Sequence, residues 1–496
     1  MTIELLTASD PLTSEGLQAT HRRLLAVGAT VGIDGVDDPG EQMVALMRHA
    51  GRVGDLGTTW LILVALLGAF PDGALVRSTL RRLEVSEPAH VVPWLLRTAQ
   101  SAAKKSGSTR SDIAIVTDRV LVDVNLSAKW SYTTGMQRVV RETARLWKQD
   151  HGVELVAWNR VSGAYRHLTP KELARFAEPD GSQQDAGHLS SGRELEPTVI
   201  VPWGAPLILL EVPNRAQSER LAALGEYSPS PIRLVGYDCI PVASADLVPG
   251  EEPEKFAKYV DVVKVADRVA AISESAAIEF RGLTSAFPVQ GLPAPRVTTC
   301  VLPSETKLGS GRLKDPTRPE LPVILSIGTL GPRKNQAAVL VASELLWRER
   351  LQFELRLLGH GFGAGEVLNA LITRLEGAGR PLAIEMNADD DRVAESLAQA
   401  RCVVFPSLHE GFGLPVIEAL SAGVPVITSD HGSLAEVAVA GGVMMIDAED
   451  TSALAAAMRQ LLTDDVLHDQ LLSQARARPV RTWNDYAKDL WAELVS

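Results

Sequence analysis

Cysteine is scarce in this 496-residue chain: Cys239, Cys300 and Cys402 are its only three, and their spacing suits neither pairing nor metal ligation. Each stands in an apolar, strand-like run, so buried free thiols in a reducing compartment are expected. Positive charge is in deficit. A net charge of −12 counts against a dedicated nucleic-acid binder. The start, Met1-Thr2-Ile3-Glu4, lacks the basic and then apolar pattern of a secretory signal. Long apolar runs are missing too, since Leu56 to Pro71 falls short of the roughly 18 to 20 residues a membrane span needs. A soluble, cytoplasmic protein is expected. The 46% hydrophobic and 22% charged content is globular, and the length suggests two or three domains.

What is there centres on Phe405 to Asp430, FPSLHEGFGLPVIEALSAGVPVITSD. Cys402 to Phe405 reads as a buried strand. In the following loop Gly411 and Gly413 bracket Phe412, allowing the backbone to approach a ligand. Pro415 suits the first turn of a helix and Gly423 the position past its end. Val424 to Thr428 is the next strand. Such a unit is half of a parallel α/β sheet, whose ligands sit beyond the carboxyl ends of the strands. Glu410 in the loop and Glu418 one turn into the helix can face one crevice. Taken singly, either also reads as a solvated surface charge.

The pattern E-G-F-G-L-P-V-I-E-A, followed by A-G-V-P-V-I and an acidic residue, resembles the E-x7-E donor motif of retaining glycosyltransferases of the GT-B fold, family 4. Upstream, S-I-G-T-L-G-P-R-K-N, Ser326 to Asn335, is similar to the phosphate-binding loop of the same family. The resemblance runs weakly from about Ile113 and closely from Pro322 to Asp447. It implies two doubly wound, Rossmann-like parallel-sheet domains facing a cleft, over 112–305 on the acceptor side and 318–475 on the donor side. A C-terminal helix, 476–496, would cross back to the first. Residues 1–105 lie outside it and read as a mainly helical N-terminal extension, with helices expected over Glu41–His49, Thr58–Phe70, Ala74–Leu83 and Val92–Lys104. Eleven basic and eleven acidic residues leave 1–110 neutral. Arg77, Arg81 and Arg82, with Trp94 behind them, could dock on anionic lipid at the inner membrane face or on a partner protein, or form a solvated face.

Strands are expected over Ile113–Val124 (one bent or two), Val153–Trp158, Thr198–Pro202, Ile232–Tyr237, Val269–Ile272 and Val297–Leu302. Residues 178–196 read as a loop and 306–322 as the interdomain linker. From Gly135 a helix carries Arg138, Arg141, Arg145 and Lys148 as one basic stripe, mostly facing solvent. T-G-M-Q-R-V-V resembles a cleft segment of some family members, which places Gly135, Gln137 and Arg138 at the acceptor or donor-phosphate side. In G-Y-D-C-I-P, Tyr237 stands where many relatives carry a sugar-contacting histidine. Asp238 is a turn cap or a cleft group, and Ser273 a helix cap. Arg333 and Lys334 at a helix opening oppose the macrodipole unless an anion lies among them. Asp389 to Asp391 suit a helix start better than a metal.

The resemblance thus implies a metal-independent retaining transfer from a nucleotide-diphosphate sugar, a substrate and not a cofactor. Arg333 and Lys334, with Gly328, would hold the diphosphate; Glu418 would take ribose hydroxyls and Glu410 the transferred sugar; the backbone of Gly411, Phe412, Gly413 and Leu414 would line the donor site. Glu410, Arg333, Lys334 and Asp238 are the catalytic candidates, and Gly135, Gln137, Arg138 and Tyr237 the acceptor or cleft candidates. A catalytically silent nucleotide-sugar binder or scaffold, and an epimerase or hydrolase on the same fold, are the competing readings.

Overall fold

A computed structural model of the chain describes residues 14–53, 55–106, 110–130, 135–176, 198–306, 319–359 and 365–496. The loop expected over 178–196, the central part of the 306–322 linker, the first four residues of the S-Y-T-T-G segment and residues 360–364 lie outside the described residues.

Helices Ser14–Val31, Pro39–Val53, Leu56–Leu67, Gly73–Val85 and Pro88–Ser106 form the N-terminal region. Leu56–Leu67 is apolar all round and buried from Gly57 onward, as expected of a helix surrounded by protein. Asp55 caps it by accepting from the Gly57 and Thr58 amides, and Gly68 in the left-handed region ends it. The first helix has no counterpart among the expected ones. Its Arg23 reads as a surface residue but is buried, donating to the carbonyls of Ala65 (2.5 Å) and Ser111 (2.7 Å) and so tying three elements together. Phe70, Trp158 and Tyr165 pack edge to face, with Trp60 tilted against Phe70, between this region and the sheet beneath it. Arg82 lies 4.3 Å over Trp94 and Arg77 donates to the Tyr227 hydroxyl at 3.2 Å, and both arginines stay exposed as expected.

The first sheet comprises β1 (Ile113–Val116), β2 (Leu121–Asp123), β3 (Glu154–Asn159), β4 (Ala164–His167), β5 (Val199–Pro202), β6 (Leu207–Leu209), β7 (Ile232–Gly236), β8 (Ala266–Ala271) and β9 (Arg296–Thr299). Their order is β1-β5-β4-β3-β2-β6-β7-β8-β9. The expected all-parallel sheet is corrected at β4, which is antiparallel to β3 and β5. A tight turn causes this: the Gly163 amide returns to the Asn159 carbonyl at 2.8 Å, with Gly163 at φ 60. The expected basic stripe also changes, because Arg141 bends onto the Trp130 carbonyl (2.5 Å) and Arg145 pairs with Glu142 (2.8 Å).

The second sheet, β10 (Val323–Ile327), β11 (Glu354–Gly359), β12 (Leu382–Met386), β13 (Ala400–Phe405), β14 (Val426–Ser429) and β15 (Val443–Ile446), is wholly parallel, in the order β12-β11-β10-β13-β14-β15. Chain order reverses between β10 and β13, so a crevice opens at their carboxyl ends. The final helix, Trp483–Leu494, lies on helix Gly135–His151 of the first sheet's layer, where the Trp147 indole donates to the Ala487 carbonyl at 2.8 Å.

Candidate functional site

The crevice between β10 and β13 is lined from both sides. After β10, Arg333 and Lys334 stand on a short 3-10 turn, Pro332–Lys334, and a left-handed Asn335 separates them from the helix Gln336–Arg348. After β13, Pro406–Gly413 brings Glu410 against both: its Oε1 lies 2.9 Å from Arg333 Nη1 and 2.5 Å from Lys334 Nζ, and accepts from Ser407 Oγ at 2.6 Å. Burial pushes the Glu410 carboxyl upward, but Lys334 and Arg333 outweigh it and hold the group below the usual carboxylate range. Burial, with Arg333 adding repulsion, lowers Lys334, and Glu410 opposes the shift. Arg333 also donates to the His409 carbonyl at 2.6 Å, and Lys334 lies 4.7 Å over the Phe405 ring. Asp238 stands close enough to favour the charge on Lys334 as well.

Gly328, at φ 141, ends β10 beside the Lys334 side chain. Gly413, at φ 104, precedes helix Leu414–Ser421, in whose first turn Pro415 sits. Phe412, beside Gly413 in the loop, is buried. Glu418 projects from that helix to meet Arg138 of the first domain, with Nη1 to Oε1 at 2.6 Å, and Asp390 lies 3.9 Å from the same guanidinium. Burial raises the Glu418 carboxyl and Arg138 opposes it. Gly135 touches Leu414, since a Cβ there would lie 2.5 Å from Leu414 Cδ1. Gln137 is buried on the same helix turn as Arg138.

Tyr237 does not present its ring to the crevice. The side chain is buried and its hydroxyl donates to the Leu210 carbonyl at 2.8 Å; its backbone oxygen is the part that faces Gly411. This corrects the placement of Tyr237 as a cleft side chain. Asp238 lies at the turn after β7, with its Oδ2 close to Gly411. It accepts from the Ile240 amide at 3.1 Å, capping the turn, and burial raises its carboxyl to about 6, with Arg333 opposing. Ser273 caps helix Glu274–Thr284 and donates to the Gly411 carbonyl at 2.7 Å.

Three further residues, His409, Glu279 and Glu436, join the two sides unannounced by the sequence. His409 contacts Ser244 Oγ through Nδ1 (2.8 Å) and Glu279 Oε1 through Nε2 (2.6 Å). Glu436 accepts from the Glu274 and Ser275 amides at the start of the helix that Ser273 caps. Partners more than 100 residues apart leave no signature at short range.

The chain has the GT-B fold, and residues 312–478 match the family model described as Glycosyl transferases group 1. The matched residues include the whole second sheet. Similar proteins point the same way. Over 142 residues it is 40% identical to the O-antigen chain mannosyltransferase B of Escherichia coli, covering 28% of this chain and 37% of the relative. Over 344 residues it is 26% identical to the serotype-specific mannosyltransferase WbdA of Escherichia coli, covering 65% of this chain and 39% of the relative. The chain thus spans less than half the length of these two relatives. Among solved structures, sucrose-phosphate synthase from Thermosynechococcus elongatus superposes with a TM-score of 0.52 at 17% identity, over 76% of this chain and 98% of that one.

Proposed function

We propose that this protein is a retaining, metal-independent glycosyltransferase of family 4 that moves a sugar from a nucleotide-diphosphate donor to a glycan, lipid-linked or small-molecule acceptor. The observation that carries this reading is the pairing of Arg333 and Lys334 with Glu410 at the switch point of the second sheet, with Glu418 on the next helix. The two cations would take the diphosphate and stabilise the charge that develops as the sugar–phosphate bond breaks. Glu410, freed in part from the cations, would orient the hydroxyls of the transferred sugar. Glu418 would exchange Arg138 for the ribose hydroxyls. The leaving phosphate would take the acceptor's proton, so no dedicated basic side chain is needed. That fits a site in which Tyr237 turns inward. The T-G-M-Q-R-V-V resemblance leans toward GDP-mannose or a deoxyhexose donor, and relatives named as mannosyltransferases support mannose as the sugar.

Thermal shift of the full chain against UDP, GDP, dTDP, ADP and their sugars, repeated on Arg333→Ala, tests the donor site. A stabilisation by one nucleotide that disappears in the variant is expected. Transfer assays on Glu410→Ala and Arg333→Ala should show at least a hundredfold loss with unchanged circular dichroism; full activity in either would sink the assignment. A silent binder is the second reading, favoured by the inward-turned Tyr237, and it requires nucleotide binding without turnover.

A further inference from the structure

Helix Glu274–Thr284 of the first domain meets the second domain at three successive places. Its cap, Ser273, donates to the Gly411 carbonyl at 2.7 Å, and its Glu274 and Ser275 amides donate to Glu436 at 3.0 and 2.5 Å. One turn beyond Ser275, on the same face, stands Glu279. Its Oε2 accepts from the Cys239 amide at 2.8 Å, and its Oε1 lies 2.6 Å from His409 Nε2. Ser244 Oγ, 2.8 Å from Nδ1, can donate to the neutral ring and so leave the Nε2 proton for Glu279. Glu279 thus meets a donor from each domain, and a carboxylate offers an acceptor to both.

The two segments joined in this way both hold the candidate site. Cys239 directly follows Asp238, whose Oδ2 would lie 3.2 Å from a Cβ on Gly411. His409 directly precedes Glu410, and its carbonyl accepts from Arg333 Nη1 at 2.6 Å. His409 therefore holds the first domain with its ring and Arg333 with its backbone. The His409 and Glu279 side chains are only 17% and 18% exposed, so water competes little for their hydrogen bond. Among the described residues, the charged groups facing the imidazole are Glu279 on the helix, Asp238 on the turn after β7 and Arg333 on the 3-10 turn. The Glu279 hydrogen bond raises the imidazole, burial opposes this, and Asp238 adds to the rise while Arg333 reduces it. The bridge is charge-assisted below the ordinary histidine value of about 6.5 and weakens as pH rises through the raised one.

We propose that Glu279 and His409 are positioning residues for the transfer: their bridge carries the placement of the Asp238 turn to Arg333 and Glu410, holding the donor loop in one setting against the first domain. This rests on the transferase reading above. Both side chains act through the loop and need not touch the donor.

Hydrogen exchange of the full chain, corrected for intrinsic rates, reads the loop without a ligand. Glu279→Gln turns an N–H toward one of its two donors, and it should speed exchange over 406–413 by about tenfold while leaving β13 and β14 unchanged. Ser244→Ala repeats the measurement if Glu279→Gln does not fold. Calorimetry with UDP, GDP, dTDP and ADP, and with UDP-glucose, GDP-mannose, dTDP-glucose and ADP-glucose, then reads the site. The sugar nucleotide that binds wild type should bind Glu279→Gln about tenfold more weakly. His409→Gln can still donate to Glu279 but does not titrate, so the affinity ratio of wild type to this variant should fall as pH rises above about 6.5. Unchanged loop exchange in the folded variants, unchanged sugar-nucleotide affinity with a loosened loop, or a pH-independent ratio would overturn the positioning role. A loosened loop in a chain whose wild type binds no nucleotide would count against the transferase reading and leave the bridge standing.

Discussion

Gly411 has no room for a side chain: a Cβ there would lie 2.5 Å from the Tyr237 carbonyl oxygen and 3.2 Å from Asp238 Oδ2. Both obstacles belong to the opposite domain, so Gly411→Ala should pry the crevice apart without unfolding either sheet. Donor KM should rise about tenfold, and thermal unfolding should show little change. Gly359 differs, because its Cβ would lie 2.1 Å from the Gly328 carbonyl within one sheet. Gly359→Ala is expected to destabilise the second domain by about 1–3 kcal/mol, measurable by denaturant unfolding. A buried carboxyl provides a third residue-scale expectation. Glu211 titrates near 7 when folded, against an ordinary value of 4.5, because burial disfavours its charge. Its contribution is complete below the ordinary value and declines as pH rises to about 7. Relative to Glu211→Gln, the wild type should lose on the order of 3 kcal/mol across that window.

Contacts between elements are the part least legible in the sequence. Glu410, Glu418, Arg333 and Lys334 can be placed because each lies in a short contiguous pattern that a strand end and a helix start explain. Arg138 can be put at the crevice but not given its partner, which is 280 residues away. Strands β4 and β6 escape notice because they span only four and three residues. The first helix does so because a buried Arg23 looks polar. Tyr237 misleads because its ring finds a carbonyl in the core, a choice that depends on a neighbouring strand. His409 is invisible for the same reason, and its link to helix Glu274–Thr284 carries an expectation. The Glu279 hydrogen bond raises its imidazole despite burial; Asp238 adds to this and Arg333 opposes it. Stability from this link is therefore full below the ordinary histidine value of about 6.5 and fades as pH rises through the raised one. The stability difference between wild type and His409→Asn should shrink as pH rises from about 6.5, and an unchanged difference would refute the link.

For the molecule as a whole, the N-terminal helices and the first sheet share one apolar core through Leu46, Trp60, Phe70, Trp158 and Tyr165. Deleting residues 1–105 would expose this surface, so the truncated chain should lose cooperative unfolding of the first domain and bind a hydrophobic dye.

The chain passes between the two sheets twice, and the two passages touch. The Ser304 and Glu305 amides donate to the Arg481 carbonyl, each at 3.0 Å, and the Trp483 amide donates to the Glu305 carboxylate at 2.8 Å. Separate tethers would act as two pivots and lock the halves in translation and twist alike. Bound side by side, they tie the lobes at one place, as a spine holds a book.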